Sequence, residues 1–393
     1  MADDWGLLEP LGSAATATTG DDAMLAALVE VERALLRAWA RVGDGDAAAI
    51  ADALDEETLD RAALVAGTHA GGVPVIPLVE QLRAQAEAAV AGSGPRVHAG
   101  ATSQDILDSA LVLVCLTALV EARDDLVAAG SALAALAESE RETVSIARTL
   151  GQHAAPSTIG VTVAGWLDGV SSAVEAIDAT EFPVQLGGAV GTGEAFDRIA
   201  DRPDATGDLR AALAAELGLA DLRRSWHTER TPILRIAATA ALVTAALGRI
   251  GRDIAFLART EIGEVVLGST GGSSAMPHKR NPVDAVLLTA NALRAPGLLS
   301  TVHAASVSQD ARPAGEWHAE WQALRGLARL ALESAEAASG LVATLDVDRT
   351  AVARNRALSP ELERDAEPTL AASARIVAAA TERFSAVALL EAP

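Results

Sequence analysis

The sequence predicts an all-α protein: an elongated bundle of five long central helices, flanked by small helical segments at its N- and C-terminal ends. Three observations point there. Half of the 393 residues are hydrophobic, enough to bury one or two large cores. Alanine and leucine dominate, aromatics make up 3% and tyrosine is absent, which suits close-packed helices and disfavours sheets. Apolar residues also recur at helical spacing over stretches of twenty to forty residues.

Each element follows from its own residues. Asp21 and Asp22 cap a helix expected over about 22–42, with Leu25, Leu28, Val29, Val31, Leu35 and Leu36 as its apolar stripe. Shorter helices are expected near 55–65 and 77–91, separated by the turn AGTHAGGVPVIP, so residues 1–97 read as a small helical N-terminal domain. Beyond Gly100, Thr102 or Ser103 is a good N-cap, and the pattern then stays helical for about forty residues. Residues 110–120 are apolar on every face, so this helix must be surrounded by others. Four more long helices are expected over about 156–178, 229–262, 282–308 and 315–343, completing a central bundle at 98–345. In the 229–262 helix Ile236, Val243, Leu247, Ile250, Ile254 and Leu257 recur at steps of three, four and seven. Pro296 should kink the helix that holds it. Residues 179–205 form a glycine-containing loop. After Leu345 the pattern thins to VDRTAVARN, a proline-marked turn and a helix near 368–390, giving a shortened C-terminal segment at 346–393.

Composition excludes several function classes. A net charge of −22 argues against nucleic-acid partners, which need a basic surface. One cysteine, Cys115, forms no intramolecular disulfide, and the seven histidines show no metal-ligand spacing, so no metal is expected. No dinucleotide or phosphate-binding motif points to a cofactor. The start MADDWGLLEP lacks the form of a signal peptide, and the purest apolar runs, near 110–120 and 236–247, are too short to cross a bilayer. A cytoplasmic protein with no membrane partner is the expectation. So many apolar positions on such long helices also point to self-association.

The stretch GEVVLGSTGGSSAMPHKRNP, residues 263–282, carries the chemistry. It holds Lys279, the sole lysine beside 30 arginines. An ammonium is a compact, titratable point charge, whereas guanidinium is a broad fork, so a tight site for one oxygen accepts the first and rejects the second. Gly268, Gly271 and Gly272 let main-chain amides approach a ligand. Pro282 suits the first turn of a helix, with Asn281 or a neighbour as cap, which places an anion-favouring helix N-terminus at the end of the loop. Ser273 and Ser274 supply hydroxyls that become proton acceptors when amides and a cation stabilise the alkoxide.

The ten residues GSSAMPHKRN, Gly272 to Asn281, resemble at every position the signature loop of the fumarase/aspartase superfamily. The resemblance implies Ser273 as general base, with Lys279 and Asn281 holding a substrate carboxylate beside the carbanion; Ser274 and Met276 would line the same pocket. Three further segments fit. HAGATSQD, with His98, Thr102 and Ser103, resembles a carboxylate-binding segment, although either hydroxyl can also cap the helix. RTLGQHAAPST, with Thr149, Gln152 and His153, fits the family pattern, and His153 matches the histidine that adenylosuccinate lyases use as general acid. Leu150 stands where many members have histidine, which argues against fumarase, aspartase and argininosuccinate lyase. WHTER, with Thr228 and Arg230, precedes the third long helix, and EWHAEW opens the fifth, its tryptophans reading as packing anchors. Together these are most similar to the bacterial 3-carboxy-cis,cis-muconate cycloisomerases.

The resemblance implies a lactonising reaction that is a β-elimination in reverse, on a small di- or tricarboxylate, without a cofactor, in the protocatechuate branch of aromatic catabolism. It also implies a homotetramer with sites shared between subunits. Ser273 is the best proton carrier, and His153 binds and neutralises or protonates. Two alternatives stand beside this reading: adenylosuccinate lyase or a related elimination enzyme, and a non-catalytic structural member of the fold.

Overall fold

A computed structural model describes residues 8–11, 15–362 and 367–390. The N-terminal part holds α1 (Ala15–Thr19), α2 (Asp21–Val42), α3 (Ala47–Ala51), α4 (Arg61–Gly71) and α5 (Val75–Ala89). The long helix α6 (Ser103–Ser139) leads into a hairpin of β1 (Val144–Thr149) and β2 (Gln152–Thr158), then α7 (Ile159–Asp178). Two short helices, α8 (Glu194–Ile199) and α9 (Ala205–Leu217), precede α10 (Thr231–Leu257). Strand β3 (Val265–Val266), α11 (Val283–Ala305), α12 (Glu316–Ala343), β4 (Asp346–Val347), α13 (Arg349–Arg356) and α14 (Glu367–Ala388) complete the chain.

The fold is predominantly helical, as the sequence requires, and five long helices form its body. Helix α6 packs on α7 and α12, α10 on α7, α11 and α12, and α14 closes over α6 and α7. The buried positions of α10 include Ile236, Val243, Leu247, Ile250, Ile254 and Leu257. Gly248 and Gly251 let α10 and α11 touch: a Cβ at Gly251 would stand 2.5 Å from the Ala285 carbonyl oxygen. Pro296 lies inside α11 and withholds an amide from the ladder without ending the helix. Cys115 is buried in α6, and burial pushes its thiol up to about 12, so it stays protonated.

Several local expectations need correcting. Asp21 and Asp22 occupy the first turn of α2 rather than its cap, which is Gly20; there they complement the helix dipole. The expected turn around His69 is mostly helix, because α4 runs to Gly71 and only Gly72–Pro74 break it. Residues 144–158 are a β-hairpin, so His153 sits on a strand and not at a helix start. Leu150 and Gly151 form its tip with φ of 52° and 79°, both left-handed, as a two-residue hairpin turn demands. The apolar stretches are also longer than expected. Both α10 and α11 are long and apolar enough to cross a membrane by length and composition, but the most apolar window of α10 is 56% buried against 28% for α11. Helix α11 leaves Val286 and Leu293 exposed, at 52% and 71%.

The chain direction gives the bundle two chemically distinct ends. At the first, the N-termini of α6, α10 and α12 converge on Arg230, which is 3% exposed. Its Nη1 donates to Asp108 Oδ2 at 2.7 Å and its Nη2 to Asp108 Oδ1 at 3.2 Å, while Glu320 takes a further charge-assisted bond from Nη2. Asp108 Oδ1 also accepts from Trp317 Nε1 at 2.9 Å. Burial opposes charge on Arg230, but Asp108 and Glu320 outweigh it and hold the guanidinium firmly protonated. One cation cannot balance two buried carboxylates. Burial, only partly offset by Arg230 and reinforced by Asp108, pushes Glu320 up to about 7.

A carboxyl whose pKa rises on folding stabilises the fold while protonated and ceases to do so as pH climbs through the folded value. Glu320→Gln keeps the shape and removes the titration. The stability of the native protein relative to Glu320→Gln should therefore fall between pH 5 and pH 8, by on the order of 1–3 kcal/mol. Thermal melts of both proteins across that range check this; a constant difference would refute the assignment.

Candidate active site

At the second end of the bundle, α10 runs into β3, which pairs antiparallel with β4 and launches the glycine-serine loop. The loop closes on itself through reciprocal main-chain bonds between Gly271 and Asn281, each 2.9 Å. Ser273 Oγ accepts from the amides of Met276 at 3.1 Å and Ala275 at 3.4 Å. Two amides aimed at one hydroxyl oxygen are the arrangement that stabilises an alkoxide. Asn281 does not cap α11: its Nδ2 donates to the Gly272 carbonyl at 2.8 Å and locks the base of the loop. Pro282 takes the N-cap position instead, and α11 begins at Val283. Ser274, Met276 and Lys279 are exposed. The Lys279 ammonium has no ion-pair partner among the described residues.

The hairpin shares this end. Arg148 Nη1 and Nη2 donate to both oxygens of Glu264, at 3.0 and 2.6 Å. Glu264 is 3% exposed, precedes β3 directly and also accepts from Asn355 Nδ2 at 2.8 Å. This bidentate clamp fixes the hairpin against the stem of the loop. His153 Nδ1 lies 2.7 Å from Ser359 Oγ, which orients the ring. Thr149 and Gln152 face solvent beside it, and Leu150 is fully exposed at the tip.

The remaining expected residues gather at the first end. Thr102 is the N-cap of α6, and Asp105 returns to its amide at 3.0 Å, so the capping reading of this motif is realised. Ser103 begins the helix, half-buried, with Thr228 half-buried nearby. His98 has a left-handed φ of 65°, and its Nδ1 lies 2.7 Å from Glu32 Oε1. Burial, the strongest influence on His98, works against its charge; Glu32 and Asp105 outweigh it and hold the ring above the usual histidine range. Arg230 departs from expectation. Its donors are committed to Asp108, Glu320 and backbone carbonyls, so it ties helices together and offers a substrate nothing.

Sequence reasoning passed over Glu264, Ser359, Asp105 and His227. Glu264 and Ser359 acquire meaning only through contacts of high sequence separation. Asp105 was visible at the N3 position of a capping box, three residues after Thr102. Among the described residues, no group of three or more His, Cys, Asp and Glu is arranged to hold a metal.

The two ends stand far apart. Helix α10, with 27 residues, separates them by about 40 Å at 1.5 Å per residue. One chain therefore holds the expected site residues as two separate halves: His98, Thr102, Ser103 and Thr228 at one end, and Ser273, Lys279 and His153 at the other.

Known proteins match both the sequence and the fold. The lyase family pattern matches residues 10–297. Nitrosuccinate lyase of Streptomyces davaonensis is 44% identical over 357 residues, covering 88% of this chain and 75% of that protein. The 3-carboxy-cis,cis-muconate cycloisomerase of Pseudomonas aeruginosa is 38% identical over 369 residues, covering 92% of this chain and 79% of that one. The crystal structure of 3-carboxy-cis,cis-muconate lactonizing enzyme from Pseudomonas putida superposes with a TM-score of 0.79 at 32% identity, covering 95% of this chain and 88% of that one. The chain thus belongs to the lyase family, within the fumarase/aspartase superfamily, and is a lyase-type enzyme.

Proposed function

We propose that this enzyme removes a proton from the carbon beside a carboxylate and expels a weakly basic anion from the next carbon. Nitrosuccinate is the first substrate to consider. Ser273 takes the proton, the electron pair forms the double bond of fumarate, and nitrite departs. The observation that carries this reading is the loop itself: Ser273 Oγ cradled by the Ala275 and Met276 amides, on the same ten residues as the unpaired Lys279. The carbanion delocalises into the carboxylate as an enediolate with doubled charge. A compact ammonium with Asn281 beside it is suited to that charge in a dry pocket. Nitrite, like a carboxylate, is only weakly basic, so it leaves without a proton donor. His153, steadied by Ser359, then serves to bind and neutralise.

Support for nitrosuccinate over other substrates comes from the 44% identity to a nitrosuccinate lyase. The second reading is the cycloisomerase reaction, favoured by relatives at 38% identity and by the solved lactonizing enzyme. Its reverse is the same elimination with a carboxylate as leaving group, so the same residues serve both. An adenylosuccinate substrate has less behind it: that relative is 34% identical over 65% of this chain.

Shared sites in a homo-oligomer are part of the same proposal. The half-sites are about 40 Å apart in one chain, too far to hold one small polycarboxylate. Antiparallel neighbours would place the first end of one copy against the second end of another. The exposed apolar side of α11, with Val286 and Leu293, supplies a surface for that packing.

Purified protein given nitrosuccinate should release nitrite, and given 3-carboxy-cis,cis-muconate should show much slower loss of ultraviolet absorbance; the reverse ranking would select the second reading. Ser273→Ala should lose about 10²–10⁴ in kcat while still binding fumarate. Lys279→Arg should fail almost as badly as Lys279→Ala, and a fully active arginine variant would overturn the role given to the ammonium. Mixing Ser273→Ala with a Thr102→Ala/Ser103→Ala double variant should restore part of the activity of either alone, and no recovery would count against shared sites.

A further inference from the structure

The first end of the bundle holds a cavity that the reading above leaves unassigned. It has a volume of about 200 Å³ and is lined in part by Gly191, Ser225, His227, Thr228 and Glu229, whose carboxylate is paired with Arg224. The His227 side chain is only 4% exposed, and its Nε2 lies 2.8 Å from Asp105 Oδ1. Its Nδ1 is buried and has no hydrogen-bond partner among the described residues. Such a nitrogen, left dry and unpaired, costs on the order of 1–3 kcal/mol. Nothing in the wall satisfies it. Gly191 lacks the Cβ that would stand 3.6 Å from Nδ1, so the approach from the cavity is open.

The tautomer follows from Asp105. Its oxygens accept from the amides of Gly187 at 2.8 Å, Gly188 at 2.9 Å and Thr102 at 3.0 Å. Asp105 only accepts, so the hydrogen between it and His227 belongs to Nε2, and the neutral ring presents a lone pair at Nδ1. A substrate built from carboxylate and nitro groups offers only acceptors. It can meet Nδ1 only after that nitrogen takes a proton. Other charges around the ring are committed elsewhere. Asp108 of α6 and Glu320 of α12 hold Arg230, Glu229 holds Arg224, and Arg312 donates to Gln104 Oε1 and the Ala189 carbonyl. Asp105, which also supports charge on His98, is the one carboxylate among the described residues bonded to this ring and placed to balance an imidazolium.

We propose that this cavity is a carboxylate subsite and that His227 is its donor, gaining a solvent proton at Nδ1 as the anionic group arrives. One N–H bond forms, no other bond breaks, and the buried row Asp105⁻, His227⁺, carboxylate⁻ alternates in sign. The proposal rests on the reading of the substrate as a small polycarboxylate, and it adds a binding residue that motif matching passed over. Because binding takes up a proton, substrate binding weakens as pH rises, while the chemical step is untouched.

Two substitutions separate the nitrogens. Glutamine at 227 reaches Asp105 with its Nε2 and leaves nothing at the Nδ1 position, whereas asparagine keeps a donor toward the cavity and loses Asp105. Calorimetric titration of fumarate, in buffers of different ionisation heat between about pH 6 and 8, reads proton uptake directly. Wild type should take up a proton on binding. His227→Gln should melt close to wild type, take up none, and bind fumarate about 10–100-fold more weakly at the lower pH. His227→Asn should retain more of the affinity but melt lower. Equal affinity and equal proton uptake in wild type and His227→Gln would overturn the proposal, as would fumarate binding by wild type with no uptake. The two readings fail separately. Nitrite release that survives with an unaltered KM in His227→Gln sinks the subsite alone, while His227-dependent uptake in a protein that turns over neither substrate sinks the elimination chemistry alone.

Discussion

Three helix N-termini meet on one guanidinium. Arg230 stands where α10 begins, Asp108 one turn into α6 and Glu320 one turn into α12, and the cross-link leaves these helices little freedom to slide. Buried ion pairs are poor sources of net stability, because desolvation consumes most of the attraction; what they confer is register. Here register is what the chemistry needs. Asp105 lies one turn before Asp108 and His227 three residues before Arg230, so fixing the second pair fixes the first. The excess carboxylate of the cluster is tolerated because Glu320 can hold a proton near neutrality.

Straight helices that carry register accurately also carry it far. A rod that aligns Thr102 with His227 delivers Ser273, Lys279 and His153 to the opposite pole, about 40 Å away and beyond the span of any small substrate. The second pole has its own clamp: Arg148, Glu264 and Asn355 join the hairpin, the stem of the loop and α13. Each pole is held by its own clamp, which suits the proposed sharing of a site between copies of the chain.

What the sequence made legible follows the range of the forces involved. The long helices could be read because their apolar positions repeat within each segment, so Ile236 through Leu257 declared their face without knowledge of any neighbour. The signature loop could be read because ten consecutive residues carry it. The hairpin was hidden: β1 and β2 are short, and the left-handed pair Leu150-Gly151 that turns them contains only one glycine. Arg230 was misassigned for a related reason. A motif that places an arginine near a substrate says nothing of Asp108 and Glu320, which lie 122 and 90 positions away in sequence. His227 was passed over because its meaning depends on an absent partner at Nδ1, which no linear pattern encodes.

The lone lysine gains force from this contrast. Elsewhere arginine supplies the positive charge of buried or half-buried clamps, reaching two acceptors at once at Glu264, Asp108, Asp178 and Glu140. Forked, permanently charged groups are suited to holding helices together. Lys279 clamps nothing among the described residues and stands exposed on a loop otherwise locked by Gly271 and Asn281. Under the proposed elimination, a guanidinium there would bring five donors and a plane to a place where one oxygen gains charge in the transition state. It would also favour the resting carboxylate by the same bidentate fit, and binding the ground state that well contributes nothing to the rate. An ammonium meets a single growing charge with less commitment to the starting geometry. On this argument the arginines of the chain hold the structure, and its one lysine is left for the proposed reaction.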